Sequence, residues 1–130
     1  MDDLVVWLRA QLDEDERTAQ AALGGPWAVV DDDGAHGWSV GVAPHNPAVG
    51  VARVPDAERA EATARHIAEH DPARVLREID AKRDLLRFAE GVHDHHETFT
   101  AGVAARLEMT LRLFAVPYAD RPGYRDEWRP

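Results

Sequence analysis

The chain has 130 residues, 15 of them basic and 24 acidic, for a formal net charge of -9. That length suits one domain with one core, here taken as residues 1–130. The acidic balance argues against direct nucleic-acid binding, which needs a basic footprint on the phosphate backbone. There is no cysteine, so disulfides and thiolate-zinc sites are excluded and a reducing cytoplasm is the expected setting.

No apolar run approaches the length of a membrane span. The opening MDDLVVWLRAQLDEDE is acidic and amphipathic, unlike a signal peptide. A first helix is predicted from about Asp3 to Ala22, with Leu4, Leu8, Leu12, Ala19 and Ala22 on one stripe. Its acidic first turn suits the positive end of the helix dipole. Gly24-Gly25-Pro26 should end it.

Three short strands follow. Trp27 to Asp31 and Trp38 to Val42 read as a hairpin around a turn at residues 32–34. A second turn at 44–47 leads to Val49–Val54, with Val49, Val51 and Arg53 on one face and Ala52 and Val54 on the other. Such a meander needs a helix over one of its faces.

Beyond Pro55 the pattern turns helical. Asp56 is expected to cap a helix whose inner side carries Ala60, Ala64, Ile67 and Ala68. Asp71-Pro72 marks a break and a new start. The residue before a proline is pushed out of the α region, an aspartate N-cap accepts an orphan N–H, and proline costs nothing at the first helical position. The Pro72 helix carries Val75, Leu76, Ile79, Leu86 and Ala89 inward. After a break near Thr98 to Gly102, a last long helix presents Val103, Leu107, Leu111 and Phe114 on one side. Met109, Leu113 and Val116 lie on the other, so burial on two faces is expected. The fold class is α+β: an N-terminal helix, a three-stranded antiparallel β-meander, then three or more helices packed on one sheet face.

Three blocks carry a family resemblance: DDLVVWLRAQLDEDERTA, HIAEHDPARVLREIDAKR and LRLFAVPYADRPGYRDEWRP, together about half the chain. They resemble the DUF6221 family of uncharacterised actinobacterial and phage-associated proteins. More loosely, GGPW followed by strands and HIAEHDPARVLREID looks like phage Ead/Ea22-like proteins, which implies a mobile-element setting. Neither resemblance implies a reaction or a catalytic residue. Some relatives carry Cys-x-x-Cys pairs before the closing block, implying a zinc knuckle. The corresponding GVHDHHETFTAGVAARLEMT has no cysteine.

Four groups of residues are candidates. His66 and His70 stand at i, i+4, and His93 and Glu97 fall where the Pro72 helix would carry them, so the four could ligate a metal. The blander reading is a polar helix end at each place. Asp15 and Lys82 fall inside apolar stripes, where they could form a buried pair or line a pocket. Otherwise they snorkel from the stripe's edge. Tyr118, Tyr124 and Trp128 in the tail could be a partner surface or could dock the tail on the core. The runs Asp13–Glu16 and Asp31–Asp33 could imitate phosphates, although basic residues are interleaved with them along the chain. The single serine, Ser39, lacks the turn of a nucleophile elbow, and no glycine pattern forms a phosphate loop.

The expected function is a non-catalytic interaction or accessory role in the cytoplasm, with a protein partner, no cofactor, no assigned metal, no nucleic acid and no membrane. One alternative is a metal-binding protein or metal-dependent enzyme using His66, His70, His93 and Glu97; another is an acidic DNA mimic. A homodimer is expected, with the last long helix or the tail at the interface.

Overall fold

The computed structural model describes residues 1–31, 37–43, 50–55, 58–94 and 101–130. Its elements are α1 (Asp2–Ala21), β1 (Trp27–Asp31), β2 (Gly37–Val42), β3 (Gly50–Pro55), α2 (Ala60–Glu69), α3 (Pro72–Asp94) and α4 (Ala101–Ala115). Two short 3-10 turns follow, Val116–Tyr118 and Asp126–Trp128. The expected α+β order is what forms. The turns expected at 32–34 and 44–47 lie outside the described residues, as do positions 98–100 of the break expected at Thr98 to Gly102, whose last two residues, Ala101 and Gly102, already belong to α4.

The chain divides into two compact units, residues 1–15 with 79–130, and residues 16–78. In the first unit α1 and α3 run antiparallel, since Arg9 pairs with Glu90 and Asp13 with Arg83. Leu4, Leu8 and Leu12 of α1 are buried, as are Ile79, Leu86 and Ala89 of α3. The i, i+4 spacing therefore located both inner faces. Val5 and Gln11 are buried beside that stripe, while Ala22 lies past the end of α1 and is exposed.

The second unit is a sheet under a helix. The strands pair antiparallel in the order β1-β2-β3. Val29 stands opposite Val40, and Val40 opposite Ala52, so the three share one face. A register shift at Val40/Gly41 interrupts the second pairing. α2 lies across all three strands and buries Ala60 and Ala64, whose small side chains permit close approach. Val40 is fully buried at the centre.

Asp71 joins helix to sheet within this unit. Its Oδ1 accepts the Arg74 N–H at 2.8 Å, the N-cap bond that the Asp-Pro sequence implied. Its Oδ2 also accepts the Trp27 N–H at 3.2 Å, at the start of β1. One carboxylate thus satisfies a helix end and a strand end. The expected cap at Asp56 is corrected: α2 starts at Ala60 with Arg59 in the N-cap position and no side-chain cap bond. Asp56 itself lies outside the described residues.

Candidate functional site

The tail aromatics close on the N-terminal helix. Trp7 meets the Tyr124 ring at 5.6 Å and the Trp128 ring at 5.4 Å between centroids. Tyr124 and Trp128 meet edge to face at 5.9 Å. The Trp7 indole N–H donates to the Pro122 carbonyl at 3.0 Å. Trp128 is buried, and Arg125 lies over its ring while pairing with Asp3 at 2.9 Å. That hydrogen bond and the Asp3 charge raise the Arg125 pKa above its ordinary value. Gly123 makes the turn possible: its φ is +85, and a Cβ there would come within 3.0 Å of Trp7 Nε1. Docking is therefore the observed role of Tyr124 and Trp128. Sequence reasoning missed their partner, Trp7, which sits beside the leucine stripe.

Asp15 and Lys82 do not pair with each other. Asp15 accepts from Arg121 at 2.6 Å, and Lys82 Nζ donates to the Tyr118 hydroxyl at 3.2 Å. Arg121 in turn stacks over the Tyr118 ring at 4.7 Å. The two charges are thus the ends of one polar chain, Lys82–Tyr118–Arg121–Asp15. Arg121 and Tyr118 were not foreseen as its links. The hydrogen bond to Asp15 outweighs partial burial and raises the Arg121 pKa. A cavity of about 10 Å³ lies beside this chain, lined by Leu8, Leu12, Leu86 and Leu111 with Lys82 and Tyr118. It holds about one water, which suits a packing defect better than a substrate site.

His66 and His70 do come together, with ring centroids 4.3 Å apart at the exposed end of α2. His70 Nδ1 lies 2.7 Å from the His66 carbonyl, so that nitrogen donates and the ring is tied to its own helix. Among the described residues no three His, Cys, Asp or Glu side chains are grouped to hold a metal ion. The His93 side chain and Glu97 lie outside the described residues.

The last long helix corrects a further expectation. α4 buries Leu111 and Ala115 on one side only. Met109, Leu113 and Val116, at i, i+4 and i+7, are 43%, 57% and 46% exposed. Val103 and Phe114 are exposed at the stripe's border. The tail cannot cover this face with Tyr124 and Trp128, whose rings are spent on Trp7. Three large apolar side chains are thus left exposed on one side of this segment.

Fold and surfaces together define an α+β protein with a clamped aromatic tail and an open apolar helix face. Over residues 1–130 the chain matches DUF6221, a family of unknown function, and it belongs to that family. No curated protein and no solved structure matches it. No helix among the described residues is long and apolar enough to cross a membrane.

Proposed function

We propose that this protein is a non-catalytic interaction or accessory protein of the cytoplasm that works as a homodimer and docks a protein partner. The exposed stripe Met109–Leu113–Val116 carries the reading. Removing such a stripe from water is favourable in proportion to the apolar area buried. A two-fold pairing of the same face on two copies is the commonest closed solution. The looser resemblance to phage Ead/Ea22-like proteins supports a mobile-element setting. The acidic-mimic alternative is weakened by Asp13 and Asp15, which are spent on Arg83 and Arg121.

Light scattering at tens of micromolar in moderate salt tests the proposal. The wild type should have twice the chain mass, and Leu113→Glu should return it to a monomer with unchanged helicity. A wild-type monomer would reject the homodimer.

A further inference from the structure

The helical path of α4 runs on past Ala115. Val116–Tyr118 is a 3-10 turn, and the Ala119 and Arg121 N–H groups donate back to the Val116 and Tyr118 carbonyls. Burial keeps a helical period along this path: Leu111, Ala115 and Tyr118 are buried, at steps of four and three residues. A second seam lies on the water side. Arg106, Met109, Leu113, Val116 and Asp120 are all exposed, at steps of three, four, three and four residues. That is the spacing of a seam between two packed helices.

The charged residues between positions 101 and 120 are Arg106, Glu108, Arg112 and Asp120. Glu108 and Arg112 pair with each other at 2.7 Å. Arg106 and Asp120, one at each end of the outer seam, have no ionic partner among the described residues. The seam is thus basic at its N-terminal end, apolar through Met109, Leu113 and Val116, and acidic at its C-terminal end. A surface in this order is complementary to itself reversed. A second copy supplies the reversed order by symmetry, whereas another protein would do so only by coincidence of its own sequence.

We infer that the homodimer proposed above, on which this rests, packs the outer seams of two copies antiparallel about a two-fold axis at Leu113. Leu113 then meets Leu113, Met109 meets Val116 of the second copy, and Arg106 meets Asp120 of the second copy at both ends. Parallel packing would set Arg106 against Arg106 and Asp120 against Asp120, and like charges in apposition are unfavourable. Charge therefore chooses the direction and the register, while the apolar centre supplies the attraction. Three half-exposed side chains per copy fall well short of the ~800 Å² per partner of a standard interface. The dimer is accordingly reversible, and it weakens as salt rises, because both ionic ends stay at the rim.

Sedimentation equilibrium and thiol cross-linking test the packing, and the lack of cysteine makes each introduced thiol the only one. In low salt Arg106→Asp should raise the dissociation constant about tenfold with helicity unchanged, since two attractive pairs become repulsive. Adding Asp120→Arg should return the constant to the wild-type value. High salt should shrink the difference between the single variant and wild type. Under mild oxidation Leu113→Cys should form a covalent dimer. Met109→Cys alone should not, because its two thiols would lie about 12 Å apart along the helix axes. Met109→Cys with Val116→Cys in the same chain should cross-link again. A Met109→Cys variant that cross-links as readily as Leu113→Cys, or a charge swap that fails to restore the constant, would overturn the antiparallel packing. A wild-type dimer that neither cross-links through Leu113→Cys nor weakens in Arg106→Asp would also overturn it, while leaving a homodimer formed through another surface. A monomer up to hundreds of micromolar would overturn both, and the outer seam would then be left to a different protein.

Discussion

Replacing Asp71 by alanine removes two different restraints at once. The first is the N-cap bond to Arg74 N, at 2.8 Å. Loss of an aspartate cap costs about 1 kcal/mol, within a range of about 0.5–2. The second is the 3.2 Å bond to Trp27 N, at the start of β1. Asp71 itself is buried, and a donor left unsatisfied at such a site costs about 1–3 kcal/mol. Together the loss should be about 2–4 kcal/mol, a large share of the ~5–15 kcal/mol that holds a domain folded. With a urea slope of ~1–3 kcal/mol/M, the midpoint should fall by about 1–2 M. Asp71→Asn divides the effect. Its one amide oxygen can still cap α3, but its amide N–H would face the Trp27 N–H, so it should lose about 1–3 kcal/mol. Urea unfolding followed by circular dichroism reads both variants. An alanine variant within about 0.5 kcal/mol of wild type would refute the capping role. An asparagine variant equal to wild type would refute the bond to the strand.

Trp128→Ala should cost about 3–5 kcal/mol in the same assay without changing the mass, because the ring is buried between Trp7 and Tyr124. A change of mass at unchanged stability would make the tail an interface. Gly123→Ala should cost about 1–3 kcal/mol, since φ is +85 and the new Cβ meets Trp7 Nε1 at 3.0 Å. Thermal melts of this variant should be rescued in part by Trp7→Phe, which vacates the Nε1 position. Elemental analysis of the purified protein should find no stoichiometric transition metal. About one zinc per chain, lost on changing His66 and His70 to alanine, would replace the interaction reading by a metal-binding one.

Periodicity and helix punctuation were legible without a structure. Leu4, Leu8 and Leu12, and Ile79, Leu86 and Ala89, are buried where the helical spacing puts them. Asp71-Pro72 ends one helix and caps the next. These features follow from a few neighbouring residues, whose backbone chemistry is the same in any tertiary setting. Membership of DUF6221 was likewise readable from three blocks of sequence.

Long-range partners were not legible, because nothing local records which distant group satisfies a side chain. Asp15 and Lys82 stood out as charges on apolar stripes, yet only the fold joined them to Arg121 and Tyr118. The second bond of Asp71, to a backbone N–H 44 positions away, has no sequence signature. The tail's choice of Trp7 left the outer stripe of α4 uncovered, where helical periodicity alone implied burial on both sides. An apolar pattern states that a face can leave water. Which faces do so depends on how many neighbours the fold supplies, and here only the tertiary structure decided it.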